Sequence, residues 1–362
     1  QHIDRSSTRM NNMKSIKSLI VTLMLALLIS IPMSLRAETS DIEGRWILSL
    51  QDDQRLLVGL LEIEKTANDW QAFLEGGPVE INIQKDHIEI VADSRDVRGF
   101  VFNRRMIGKI KNNQMNGSYE QEGAAAQKEN PGTWSAVPEK NEDSGLTLTS
   151  SATAGDISGI WTATQELDFR KYTMSLTQSG KDWLEQYLPY FDQPDVRCTS
   201  IGLPALATYS FPFEIISSDD RYTFLYEYQA KVRRIWMKKE SPSEFMPPSR
   251  MGFSVGSWVN GELVIKTSLL DKTIRDFRGE LISEDATIEE RYSLSADNQT
   301  LTAIIIVDDP ENYERQPIRR RQWKRNANTE IFPYTCDPDT FYLPMYEDGE
   351  FQMYIDRTPF RF

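Results

Sequence analysis

The chain has 362 residues, of which 41 are basic and 54 acidic, and its net charge is −13. So acidic a surface repels phosphate backbones, which argues against nucleic acid as a partner. With two histidines, two cysteines and no HExxH or CxxC motif, there is little from which to build a zinc, copper or haem site, and no metal or cofactor is expected.

Residues 1–9 (QHIDRSSTR) precede the first methionines, Met10 and Met13, and read as upstream sequence without fold information. Lys14 and Lys17 then introduce an uncharged apolar stretch from Leu19 to Met33, and "SLRA" ends on the small residue Ala37, the pattern of a secretory signal peptide over residues 1–37. The run is shorter than the ~20 residues that cross a bilayer and contains Pro32, so no stable membrane insertion is expected after cleavage. The mature chain is expected in the periplasm or outside the cell. Removing the leader takes away five cations and one acid and deepens the net charge from −13 to −17. An oxidising compartment makes Cys198 and Cys336 a disulfide candidate, with two buried thiols as the alternative.

From residue 38 to 137, short runs such as "RWILSL", "VEINIQ", "HIEIVAD" and "MIGKIK" alternate apolar and polar residues between Gly, Asn and Asp turns. This period of two predicts an antiparallel sheet closed into a small barrel or sandwich, with "KNNQ" as one of its hairpin turns. Residues 138–155 lack aromatic residues, are rich in Ser, Thr and Gly, and read as a linker. The second domain, 156–362, carries one predicted short helix in "TQSGKDWLEQYLPYF", with Trp183, Leu184, Tyr187 and Leu188 on one face and Pro189 as its stop. Strands then resume from "PFEII" to "IRRRQWKR", and the aromatic tail "FYLPMYEDGEFQMYI" is expected to add a hairpin across Glu347 to Gly349. The fold class is therefore all-β, two antiparallel barrel or sandwich domains, the second the larger.

Each domain opens on the same hexapeptide: "DIEGRW" ends at Trp46 and "DISGIW" at Trp161. Gly-x-Trp at the start of a first strand resembles the lipocalin and calycin barrels, which implies a calycin-like barrel with the Trp as an end plug. A longer series of motifs runs through the second half: Gly159 and Trp161; Arg197 and Cys198; Gly202 and Pro204; Tyr226, Glu227 and Tyr228 with Arg233, Arg234 and Ile235; Gly252, Ser254, Gly256 and Trp258; Glu290, Arg291 and Tyr292; Asp309, Pro310 and Tyr313. In this order they resemble an uncharacterised family of secreted bacterial β-domains with the patterns YEY…VRRI…DGR, GHSIGxWxGDTLVVDT, ERY and DPxxY. The chain departs from that pattern at polar positions. Phe253 stands where the pattern has histidine, Lys266 where it has aspartate, and Lys238, Lys239 and Glu240 where it has DGR.

"GFSVG", Gly252 to Gly256, satisfies Gly-x-Ser-x-Gly, but the residues after Ser254 read as a strand and the only histidine past the leader is His87, in the first domain. A nucleophile elbow needs a helix and a nearby base, so the match is taken as coincidence. Asp308, Asp309, Asp337 and Asp339 read as solvated loop carboxylates rather than a calcium site. In "RRRQWKR", alternation puts Arg319, Arg321 and Trp323 on one strand face, read as a charged face that pairs with acids elsewhere.

What remains is carboxylates, tyrosines and arginines. Alternation through "RYTFLYEYQAKVRRI" puts Tyr222, Phe224, Tyr226 and Tyr228 on one face and Glu227 on the other, where Arg233 or Arg234 could pair with it across a hairpin. The leading expectation is a small aromatic or polar organic molecule bound in the second barrel by Tyr226, Tyr228, Arg233, Ser254, Trp258 and Arg291. The enzyme alternative is a cofactor-independent hydrolase, lyase or isomerase with Glu227 or Glu290 as acid or base and Arg234 steadying an anion. Binding is favoured because polar positions of the resembled family are replaced. A third possibility is an interaction module whose aromatic surface meets an envelope protein.

Overall fold

The computed structural model describes residues 42–53, 56–67, 69–95, 101–123, 131–139, 155–164, 166–167 and 174–357. The expected signal peptide and most of the expected linker lie outside them. The fold is all-β, as the alternation predicts, and both units are closed barrels rather than sandwiches.

The repeated hexapeptide builds the same local structure twice. Gly44 and Gly159 take φ of +133° and +118°, which a side chain would strain, and so let the chain swing into the first strand of each barrel. Trp46 Nε1 then donates to the carbonyl of Ile42 at 2.9 Å, and Trp161 Nε1 to that of Ile157 at 2.9 Å. All four side chains are buried, so each Trp fills a barrel without leaving its N–H unpaired.

The first barrel consists of β1 (Gly44–Gln51), β2 (Leu56–Lys65), β3 (Trp70–Leu74), β4 (Gly77–Gln84), β5 (His87–Arg95), β6 (Val101–Lys111), β7 (Gln114–Glu122) and β8 (Gly132–Pro138), each antiparallel to the next. β1 pairs with both β2 and β8, which closes the ring. The "KNNQ" turn joins β6 to β7 with Asn112 and Asn113 both at positive φ, the conformation of a two-residue type I′ hairpin. Leu48, Leu50, Ile63, Leu74, Ile90, Met106 and Met115 point inward and form an apolar core.

The second barrel begins at β9 (Gly159–Ala163). β10 (Glu166–Leu167) leaves it to run parallel beside β2 of the first barrel. The wall continues through β11 (Phe213–Ser217), β12 (Arg221–Tyr226), β13 (Lys231–Trp236), β14 (Phe253–Val259) and β15 (Glu262–Ser268). After a small hairpin of β16 (Thr273–Ile274) and β17 (Leu281–Ile282), it ends with β18 (Thr287–Leu294), β19 (Thr300–Asp308) and β20 (Ile318–Arg325). β9 lies between β20 and β11 and closes nine strands into a ring. Trp161, Phe224, Tyr292 and Trp323 fill it, each fully buried.

Four expectations change. β12 stops at Tyr226, and Glu227–Ala230 is a turn in which Gln229 and Ala230 take φ of 58° and 47°. The Gln229 side chain holds that turn against the neighbouring loop, donating to Thr199 O at 2.8 Å and accepting from Ile201 N at 3.0 Å. The tail is no hairpin: Asp339–Glu347 and Phe351–Asp356 are helices whose Phe341, Met345 and Tyr354 form a small core of their own. The second half therefore carries more than the one predicted helix, which spans Gln178–Gln186 with Thr177 as its N-cap. Arg319 and Arg321 form a buried face rather than a solvated one.

The barrels meet along the segment before β20. Arg315 donates to Glu62 at 2.9 Å and Glu64 at 2.7 Å while its guanidinium lies 3.8 Å above the Phe73 ring. Behind it, Asp276 is surrounded by Arg275 at 3.2 Å, Arg278 at 2.6 Å and Arg319 at 3.4 Å. Burial raises the Asp276 carboxyl, but the three guanidiniums outweigh it and hold the group well below its ordinary value. A depressed folded value means the stabilisation is complete above the unfolded value of about 3.9 and is lost as pH falls beneath it. Acid titration of the unfolding free energy should therefore show a decline below about pH 4 that is shallower in Asp276→Asn.

Cys198 and Cys336 are bonded, with Cα atoms 5.6 Å apart and 138 positions apart in sequence. Closing so long a loop is worth about 5 kcal/mol in the chain-entropy account. Cys198→Ser/Cys336→Ser should lower the unfolding free energy by that order and the urea midpoint with it, and reducing agent should lower the midpoint of the natural chain but not that of the double variant.

Candidate functional site

Inward residues of β13, β14, β15 and β18 form one polar cluster inside the second barrel. Arg233 donates through Nε to Ser254 Oγ at 3.0 Å and through Nη2 to Thr267 Oγ1 at 2.8 Å, and its Nη2 also pairs closely with Glu290 Oε2. Tyr292 OH donates to the other oxygen, Glu290 Oε1, at 3.0 Å, and Ser254 and Thr267 share a hydrogen bond of 2.9 Å. Glu290 is 0% exposed and Arg233 2%. Burial alone would lower the Arg233 pKa, but Glu290 beside it holds the guanidinium above its ordinary value.

This arrangement ties strands together and leaves little for acid–base chemistry. A general acid or base must reach the reacting proton, and both Glu290 oxygens are occupied and shielded from water. Two atoms stay open: Arg233 Nη1 and Tyr226 OH have no hydrogen-bond partner among the described residues. Burial and Glu290 push the Tyr226 phenol up to about 12, against the opposing effect of Arg233, so it stays un-ionised at neutral pH.

The other predicted residues lie elsewhere. Glu227 is in the turn after β12 and accepts from Phe332 N at 3.0 Å, so it pairs with neither Arg233 nor Arg234. Arg234 is on the exposed outer face of β13. Tyr228 lies beyond the strand, stacked 4.5 Å from Tyr209 and donating to Asp195 at 2.6 Å. Arg291 points outward and donates to Glu289 at 2.8 Å. Trp258 is half-buried at one end of the barrel, its ring 6.4 Å from Tyr222. Of the nine, Arg233, Ser254 and Glu290 meet directly, with Tyr226 beside them. Thr267 and Tyr292 are the members that sequence reasoning missed. Tyr292 was available by alternation from Glu290, and Thr267 as the inward neighbour of Lys266.

Ser254 sits in a strand and hydrogen-bonds Arg233 and Thr267, while His87 is exposed in β5 beside Asp86 at 2.9 Å, so Gly252–Gly256 is no nucleophile elbow. Among the described residues there is no group of three or more His, Cys, Asp or Glu able to hold a metal. Asp309 instead accepts from Ser283 N, Ser283 Oγ and Asn312 Nδ2 at 2.9, 2.8 and 2.9 Å, fixing the loop after β17.

The opposite side of the same wall is open. A groove of about 680 Å³ runs over the outward faces of β14, β15, β18 and β19. Phe253, Val255, Val264 and Ile306 give it an apolar floor, and Glu240, Lys266, Glu289 and Asp308 supply charge. Lys266 Nζ is 3.7 Å from Glu289, with three-quarters of its side chain exposed. Gln316, at the contact with the first barrel, lines one margin and donates to Asp308 at 3.0 Å.

No protein-family profile matches the chain, and no curated protein matches it. Among solved structures it is similar to a protein of unknown function from the DUF3598 family of Nostoc punctiforme PCC 73102, with 9% identity over 78% of this chain and 96% of that one and a TM-score of 0.24. A likeness that weak carries no argument about this chain.

If the inner cluster is structural, Glu290→Gln should cost about 3–5 kcal/mol in urea unfolding, because it leaves a buried guanidinium without its counter-charge. Arg233→Met/Glu290→Leu should recover most of that loss. A single variant as stable as the natural chain would contradict the assignment.

Proposed function

We propose that the chain is a non-catalytic binding protein of an oxidising compartment, which holds a small amphipathic organic molecule on the second barrel, in the groove on its outer wall. One observation carries the reading: three of the five positions at which the sequence departs from the family it resembles lie on that groove. Phe253, Lys266 and Glu240 line it, where the resembled pattern has histidine, aspartate and the DGR loop. Polar groups that could move protons have given way to an apolar floor and a flexible cation, which suits retention of a ligand and not turnover. The groove volume lies within the range of small-molecule sites.

Glu240, Glu289 and Asp308 outnumber Lys266, so a ligand carrying a cation or hydroxyl donors is preferred over an anion. Export to the periplasm or beyond fits the disulfide, and no described helix is long and apolar enough to cross a membrane. A second reading, docking onto an envelope protein, is favoured by the exposed apolar side chains Leu343, Tyr346 and Met353 on the tail helices.

Fluorescence titration with dansylcadaverine, a cation, and dansylglycine, its anionic counterpart, tests the groove. Dansylcadaverine should bind at least about tenfold more tightly, and Val255→Trp, which fills the floor, should weaken it by a similar factor. Tyr226→Phe, inside the barrel, should leave binding unchanged. Binding that survives Val255→Trp, or is lost in Tyr226→Phe, would move the site off the groove.

A further inference from the structure

The tail helices Asp339–Glu347 and Phe351–Asp356 are held in place at both ends. Cys336, just before the first, is bonded to Cys198. Just after the second, Arg357 donates through Nε to Asp192 Oδ1 at 2.8 Å and through Nη2 to the carbonyl of Gln186 at 2.6 Å. Between these points Arg197 Nη1 donates to Tyr354 OH at 3.0 Å, with its guanidinium 5.7 Å from the Tyr354 ring. Phe341, Met345 and Tyr354 are buried, and Phe191 packs against them. The tail is thus a fixed element whose inner face is already in use.

Its outer face carries large apolar side chains in water. Tyr346 is 70% exposed and Leu343 53%, and their spacing of three on one helix makes them neighbours on its surface. Phe351, at the start of the next helix, stands edge-on to Tyr346 with ring centroids 6.4 Å apart, which joins the two helices into one apolar patch. Aromatic side chains already fixed in position give up little conformational freedom when covered, which is what the centre of an interface requires.

The rim has a single sign. From residue 337 to 356 there are six acidic residues and no basic one: Asp337, Asp339, Glu347, Asp348, Glu350 and Asp356, all exposed. None of the six has an ion-pair partner among the described residues. Glu347, Asp348 and Glu350 fall between Tyr346 and Phe351 in the chain and so flank the ring pair. That charge selects among the surfaces that could cover the patch. A membrane presents anionic headgroups, and a second copy of this face presents acid to acid, so both are repelled. A partner with lysine or arginine around an apolar centre complements both parts.

We infer that this face docks a basic amphipathic segment of another protein, with the partner's apolar side chains over Leu343, Tyr346 and Phe351 and its cations toward Glu347, Asp348 and Glu350. The inference rests on the second reading above, docking through the tail helices, and adds the chemistry of the partner.

Fluorescence anisotropy of the full chain with a fluorescein-labelled amphipathic lysine–leucine peptide tests it. A lysine–serine peptide of the same length keeps only the charge, and a glutamate–leucine peptide keeps only the apolar face. The lysine–leucine peptide should bind, and each control should bind at least about tenfold more weakly. Leu343→Ser/Tyr346→Ser, at exposed positions, should weaken binding at least about tenfold and leave the urea midpoint unchanged. Glu347→Gln/Glu350→Gln should flatten the fall of affinity with rising salt. Val255→Trp, in the groove, should leave peptide binding unchanged. No binding, equal binding of the lysine–serine peptide, insensitivity to Leu343→Ser/Tyr346→Ser, or loss in Val255→Trp would each remove the docking surface. A glutamate–leucine peptide that binds equally well and is lost in Leu343→Ser/Tyr346→Ser would keep the surface and overturn the basic partner. None of these outcomes depends on whether the groove binds dansylcadaverine.

Discussion

The carboxylate of Asp276 is the point on which the second half of the molecule is assembled. Three guanidiniums reach it from two directions, Arg275 and Arg278 from its own turn and Arg319 from β20. Because the turn is held this way, Gly279 presents its carbonyl to Trp183 and its bare Cα to Tyr187, and the helix has a seat. Arg319 carries the same charge cluster toward Glu75, 3.9 Å away in the first barrel, where Glu75 O also accepts from Ile318 N at 3.2 Å. A buried cluster of this kind stabilises little compared with an apolar packing of equal volume, but it tolerates few alternative geometries. Its contribution is to specify where turn, helix and both barrels meet.

Inside the second barrel a smaller cluster follows the same logic. Arg233, Ser254, Thr267 and Glu290 come from four different strands and meet at one point. Aromatic side chains pack the rest of the interior, Phe224 edge-on to Tyr292 at 5.7 Å and Tyr292 stacked 6.3 Å from Trp323. The barrel is therefore filled by its own residues, and the open groove lies on the outer wall.

Much of the architecture was legible because a strand advertises itself by a period of two. The two hexapeptides, the Asn-Asn hairpin and the paired cysteines all behave as their chemistry implies. "VRRI" was not decidable on that basis: Val232 and Ile235 are both apolar yet point to opposite faces, so either arginine could have been the inward one. "EYQAK" contains neither glycine nor proline, and its turn is imposed by Gln229 reaching across to Thr199 and Ile201, a tertiary constraint that a local pattern does not contain. "EDG" in the tail was read as a hairpin turn, but Gly349 at φ +75° follows a helix, and both structures ask for the same residue. For the site, the sequence named Glu290 as a candidate but could not say whether the interior it faces was open or filled.

The bond between Cys198 and Cys336 also decides how the molecule would bear tension. Strands β11 to β20 all lie between the two cysteines in sequence, whereas β9 lies before them. A pull on the two ends would run from β9 directly through the disulfide to the tail helices, and the 138-residue interval would add no extension. Only β9 could be peeled from the ring by force. Under load the second barrel would thus yield by one strand and then hold, a covalent stop set by where two cysteines fall in the chain.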